Sequence, residues 1–123
     1  MVKTAAILFG IVFLAVGILG FVPGITTDQM LLGIFMVNPA HSMVHIASGV
    51  IFLIAGMAGA GASRMWFRIF GIIYAIVAIL GFMTPNGLLL RLITNNPADT
   101  WLHVILAVAM LFFGFVAKDT ATV

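Results

Sequence analysis

The sequence predicts an all-α membrane protein, a polytopic transmembrane four-helix bundle. Two tandem-repeated helical hairpins would build it, related by a pseudo-twofold axis along the membrane normal. Three observations carry that expectation. Of 123 residues, 64% are hydrophobic and only 7% charged, whereas a water-soluble domain carries about 25% charged residues. The apolar residues fall into four runs, roughly 5–22, 43–60, 66–83 and 101–117, each close to the ~20 residues that cross about 30 Å of hydrocarbon. The third observation is an internal match between the two halves of the chain. Five Lys plus Arg and three Asp plus Glu are too few charges to cover a soluble surface. That excludes a soluble enzyme, a nucleic-acid-binding domain and a disordered protein. With no cysteine in the sequence, disulfides, thiolate metal sites and cysteine nucleophiles are excluded together.

Span 1 follows Lys3 and has the look of a signal peptide. Its apolar run is long for that role, and Phe21-Val22-Pro23-Gly24 lacks a small-x-small cleavage pattern, so a retained span is expected. If the spans alternate, Lys3, Arg64, Arg68 and Lys118 share one side, while Arg91, Asp28 and Asp99 share the other. Arg64 and Arg68 are expected to flank a short link between spans 2 and 3. Positive charge near span ends marks the cytoplasmic side. Both termini are therefore expected in the cytoplasm, with the connections 23–40 and 84–98 facing outward. Each connection holds a short apolar stretch, Met30 to Val37 and Leu88 to Ile93. Bare loop backbone cannot face lipid, so short interfacial helices or strands are expected over the bundle mouth. Gly33 and Arg91 take the matching position, which predicts that the two lids differ. The chain reads as one domain over 1–123, with repeat 1 at about 1–61 and repeat 2 at about 62–123.

The repeat is explicit. Phe9-Gly10-Ile11-Val12-Phe13 aligns with Phe70-Gly71-Ile72-Ile73-Tyr74 at an offset of 61, as does Ile18-Leu19-Gly20-Phe21 with Ile79-Leu80-Gly81-Phe82. Asn38-Pro39-Ala40-His41-Ser42-Met43-Val44-His45 aligns with Asn96-Pro97-Ala98-Asp99-Thr100-Trp101-Leu102-His103 at 58. A repeat of two spans keeps its orientation, hence the axis along the membrane normal. Small residues recur seven apart in every span: Gly10 and Gly17, Gly49 and Gly56, Gly71 and Ala78, Ala107 and Gly114. In lipid, helices associate by close backbone approach at such residues, and a seven-residue period keeps one seam turned to a partner.

Few groups in the spans can do chemistry. His41 and His45 lie four residues apart at the start of span 2, and Asp99 and His103 hold the corresponding positions in span 4. A spacing of four places each pair on one helix face, and the same stripe continues through Gly49 and Gly56 or Ala107 and Gly114. Pseudo-symmetry would gather His41, His45, Asp99 and His103 at the outer mouth. Ionisable groups at membrane depth face an interior, pair with one another, or serve a function. Three imidazoles and a carboxylate match the ligand set of a transition metal such as zinc or iron. His45 and His103, as repeat equivalents, also suit bis-histidine ligation of a tetrapyrrole, haem or chlorophyll. The same four groups would start an ion or proton relay, with Ser48 and Tyr74 the only polar steps further in. The structural alternative is capping. Asn38, Asn96 and Asp99 are natural N-cap residues, with Pro39 and Pro97 fixing the first turns. Asp99 would then bind a neighbouring imidazole while His41 and His45 satisfy lid backbone. The helix dipole at an N-terminus also disfavours a cation. Ser42 has no carboxylate in its own repeat to complete a nucleophilic set. Trp66 and Trp101 sit near opposite span ends, as interfacial anchors do.

The stretch Gly33-Ile34-Phe35-Met36-Val37-Asn38-Pro39-Ala40-His41-Ser42-Met43-Val44-His45 resembles the G-I-F-x-V-N-x-x-H-x-x-V-H block of an uncharacterised family of small bacterial four-span membrane proteins. Leu102-His103 fits the L-H element in that family's last span, and the resemblance covers essentially the whole chain. An Asn often stands where this chain has Ser42. The resemblance implies four spans and a bacterial inner membrane. It supplies no substrate, cofactor or catalytic residue.

The reading that follows is a non-enzymatic binding or assembly module in the lipid bilayer. Its metal-ligand candidates are His41, His45, Asp99 and His103. It would work with other subunits of a membrane complex or as a homo-oligomer, and without nucleic acid. The alternatives are a small ion or proton pathway and a tetrapyrrole-binding subunit.

Overall fold

A computed structural model describes residues 1–118 of the chain. The architecture is mostly helical. Helix α1 covers Val2–Leu19, α2 Pro39–Ala58, α3 Ala60–Met83 and α4 Pro97–Leu111, the last running on into a π-helical turn at Phe112–Val116. All four are long and apolar enough to cross a membrane, and the chain is a multi-pass membrane protein on that basis.

Helices α2 and α4 start earlier than the apolar runs suggest, because their first turns are made by capping rather than by hydrophobicity. Asn38 precedes α2 and its Oδ1 accepts the His41 N–H at 2.8 Å; Asn96 does the same for the Asp99 N–H at 2.9 Å. A proline follows each cap at the first helical position, where its missing N–H costs nothing. The expected link between spans 2 and 3 shrinks to Gly59 alone. Its φ of 135° is open to glycine and strained for other residues. Arg64 and Arg68 therefore lie on α3 itself. Arg68 Nε donates to the Gly114 carbonyl at 2.7 Å, and Arg64 donates to the Phe113 carbonyl at 3.2 Å. Both bonds satisfy carbonyls at the C-terminal end of α4, where helical partners run out.

The two longer connections form strands, which amends an all-α description. Strands β1 (Thr26–Thr27), β2 (Met30–Leu31) and β3 (Phe35–Met36) make an antiparallel meander. Strands β4 (Gly87–Leu89) and β5 (Ile93–Asn95) make a hairpin with Leu89 opposite Ile93. In each, an i to i+3 bond closes the turn, Ile34 N–H to Leu31 C=O and Leu92 N–H to Leu89 C=O. The central residues of both turns have positive φ: Leu32 (55°) and Gly33 (71°) in one, Leu90 (53°) and Arg91 (59°) in the other. This is the φ signature of a type I′ hairpin turn. The lids do differ, three strands against two, but the exchange of Gly33 for Arg91 does not change the turn backbone, and Arg91 holds a conformation better suited to glycine.

Helix α1 packs along α2, and α3 along α4. The small residues make these pairings. A Cβ on Gly10 would sit 2.9 Å from the Gly49 carbonyl oxygen, and one on Gly49 2.8 Å from the Leu14 nitrogen of α1. In the second pair, a Cβ on Gly71 would sit 3.1 Å from the Leu111 nitrogen, and one on Gly114 2.9 Å from the Arg68 nitrogen. The seams therefore lie within the α1–α2 and α3–α4 pairs, and the stripe on α2 divides. Gly49 and Gly56 meet α1, while His41 and His45 face α4. Between the pairs the core is aromatic, with Phe13, Phe52, Phe67, Phe70 and Tyr74 buried together.

Candidate metal centre

Three histidines meet beneath the strand-bearing connections. His41 lies in the first turn of α2, set by the Asn38 cap, and His45 stands one turn further on. His103 occupies the second turn of α4. Their ring centroids are 4.7 Å apart for His41–His45, 5.8 Å for His41–His103 and 6.5 Å for His45–His103. One ligand nitrogen from each lies within 4.8 Å of the other two, and all three residues are buried. Nitrogens on a tetrahedral ion with bonds of ~2.0–2.1 Å stand about 3.3 Å apart. Each ring would have to close by under about 1 Å to coordinate a common ion, a movement within reach of small side-chain rotations.

Among the described residues, five of the six ring nitrogens are both buried and without a hydrogen-bond partner: Nδ1 and Nε2 of His41, Nδ1 and Nε2 of His45, and Nδ1 of His103. Backbone of Thr94 and Met36 approaches His41, but not in hydrogen-bond geometry. Buried polar atoms in folded proteins are nearly always partnered, and an unsatisfied one costs about 1–3 kcal/mol. This cluster concentrates several. Phe13 and Tyr74 supply its apolar walls, with ring centroids 5.7 Å from His45 and 5.7 Å from His103 respectively.

Asp99, the fourth candidate ligand, stands apart from the group. Its Oδ2 accepts the Asn96 N–H at 3.1 Å, completing a capping box, and the Met36 N–H of β3 at 3.1 Å. The carboxylate thus anchors the first connection to the start of α4. The capping alternative fits Asp99 as a cap, but Asp99 takes backbone amides rather than an imidazole, and the histidine nitrogens do not satisfy the lids. His41 holds the equivalent N-terminal position in α2. Being a poor backbone acceptor there, it turns into the cluster instead.

Two further asparagines cross-brace the connections. Asn38 Nδ2 donates to the Leu92 carbonyl at 2.9 Å, and Asn96 Nδ2 donates to the Ile34 carbonyl at 3.0 Å. Thr94 Oγ1 adds a bond to the Met36 carbonyl at 3.2 Å. Asn95, fully buried, donates to the Thr84 carbonyl and to Thr100 Oγ1, each at 3.0 Å. The sequence marks Asn38 and Asn96 as caps, but not the second use of their amides. Tandem Asn95-Asn96 before Pro97 was the available signal for Asn95.

The chain matches a family model described as Domain of unknown function (DUF4383) over residues 3–116. It belongs to that family. No curated protein and no solved structure matches. Family membership thus agrees with the four-span resemblance and leaves the chemistry to be argued from the histidines.

Proposed function

We propose that this membrane protein holds a divalent transition-metal ion, zinc or iron by ligand type, on His41, His45 and His103. One observation carries the reading: three buried imidazoles with mutually accessible nitrogens, five of them lacking any partner. Imidazole ligands suit these metals, and three protein ligands leave a fourth tetrahedral position open. Asp99 serves as the brace that fixes α4 and β3 over the site. A binding or accessory role in a membrane complex follows better than catalysis. The Ser42 hydroxyl lies against Gly20, just past the end of α1, rather than among the histidines.

Duplication of the two halves accounts for the site. The braces support it: the donors Asn38 and Asn96 and the acceptors Ile34 and Leu92 are counterparts at the same offset of 58. The paired glycine contacts support it too, since Gly10 meets Leu53 and Gly71 meets Leu111. The two halves would then relate about an axis along the membrane normal. We place the strand-bearing end outward in a bacterial inner membrane, because Lys3, Arg64 and Arg68 lie at the opposite end.

The alternatives draw less support. A macrocycle between His45 and His103 would have to occupy ground where the His41 ring stands, 4.7 and 5.8 Å from the two. A relay would have to pass the packed ring of Phe13, Phe52 and Phe70. Ser48 already donates to the Val44 carbonyl and pairs with the Tyr74 hydroxyl. The test is elemental analysis of protein purified without a polyhistidine tag. We expect one metal equivalent per chain, lost in His45→Ala and in His103→Ala. A wild-type chain free of metal after exposure to zinc and to iron would overturn the reading.

A further inference from the structure

A second feature adjoins the histidines. A cavity of about 290 Å³ opens between α1 and α4, lined by Leu8, Phe9, Val12, Val16, Leu102 and Leu106, with Phe13 and His45 also on its wall. These helices pack mainly on α2 and α3 rather than on each other, so their side chains leave the gap. Leu8 and Val12, on its rim, are each 57% exposed. Both sit in the middle of a membrane span, so the opening faces hydrocarbon. The wall is apolar except for His45, which is only 4% exposed and has both ring nitrogens unpartnered.

We propose that this cavity is a lateral binding site for a small lipophile carrying a single polar oxygen, its body between α1 and α4 and its head at His45. Four facts select that chemistry. Access from the bilayer requires a membrane-soluble ligand. The apolar lining rewards a hydrocarbon or ring body and penalises a second polar group, which would find no partner. The volume lies at the small end of ligand pockets, ~300–1,000 Å³. A neutral imidazole offers one N–H donor and one acceptor nitrogen, enough for one carbonyl or hydroxyl head. The proposal rests on the metal reading in one respect only: an ion on the three imidazoles would engage one His45 nitrogen and leave the other for the head oxygen, and in either state a small turn of the buried ring brings that nitrogen to the cavity. The shared head chemistry belongs both to long-chain alcohols and to long-chain ketones.

The experiment uses histidine-15N protein in phosphatidylcholine nanodiscs, with and without chelator. Three imidazole rings are followed by long-range 1H–15N spectra during titration with 1-decanol, 2-decanone and decane. The His45 ring should shift saturably with the oxygen-bearing probes, and decane should bind about tenfold more weakly, the loss of one hydrogen bond. The tighter of decanol and decanone names the source. Val12→Trp and Leu106→Trp fill the cavity from opposite walls and should each weaken binding at least about tenfold while leaving metal content unchanged. Decane binding as tightly as decanol overturns the proposal, as does a His45 shift that survives both tryptophan variants. Saturable shifts in chelator, from a chain that never takes up metal, would uphold the cavity and reject only the ion.

Discussion

Replacing His45 by leucine should change the sign of its effect on stability with metal. In the empty protein, His45 brings two unpartnered nitrogens into an apolar surround, with Phe13 at 5.7 Å and only 4% of the residue exposed. An unsatisfied buried group costs about 1–3 kcal/mol. Leucine is close in volume and has no polar atom, and such a swap costs under about 1.5 kcal/mol in packing. His45→Leu should therefore match or exceed wild type in chelator, by up to about 2 kcal/mol. With metal at a hundred times its Kd, wild type gains about 2.7 kcal/mol by linkage that the variant cannot gain. The order then reverses. Thermal unfolding in detergent micelles, followed by circular dichroism with and without zinc, reads this directly, at a scale on the order of 5 °C per kcal/mol. Equal destabilisation by His45→Leu in both conditions would refute the reasoning, since it would mean that the imidazole is stabilising without any ion.

Three other outcomes follow from particular contacts. Asp99→Ala leaves the Asn96 and Met36 amides without their acceptor and should cost about 1–3 kcal/mol while metal stoichiometry is retained. Metal loss matching that of His103→Ala would return Asp99 to the ligand set. Gly49→Val places branched carbon where a bare Cβ already stands 2.8 Å from the Gly10 carbonyl oxygen, so α1 and α2 must separate, at a cost of roughly 1–3 kcal/mol or more. Protease susceptibility of the α1–α2 connection should rise, and an unchanged digestion pattern would count against the seam. Arg91→Gly removes a side chain held at φ 59°, a conformation that costs a non-glycine residue about 1–2 kcal/mol. Glycine's greater freedom in the unfolded chain offsets ~0.5–1 kcal/mol of that, so the variant should melt at or slightly above wild type.

The spans were legible because charge scarcity and run length are properties of composition, which packing cannot alter. Their starts were misplaced because Asn38-Pro39 and Asn96-Pro97 nucleate helix by hydrogen bonding before the apolar run begins. The histidine pairs were legible for a geometric reason: a spacing of four fixes a shared helix face whatever the tertiary structure. The tertiary partner of that face was not. The stripe from His45 through Gly49 is continuous on a helical wheel, yet Gly49 meets Leu14 of α1 and His45 meets His103 of α4. A helix with neighbours on two sides divides one stripe between them, and only the neighbours decide where. Asp99 shows the same limit at a single residue. Aligned with His41, it reads as a ligand; three residues after Asn96, it reads as a capping box. Both patterns were present, and local geometry decided between them. The orphaned Asn96 N–H is within reach of a carboxylate at that position in any helix so capped, whereas a ligand role requires α2 to be delivered beside α4. The contact within its own first turn takes up the carboxylate. That leaves the imidazole at position 41, which has no comparable local partner, to join His45 and His103.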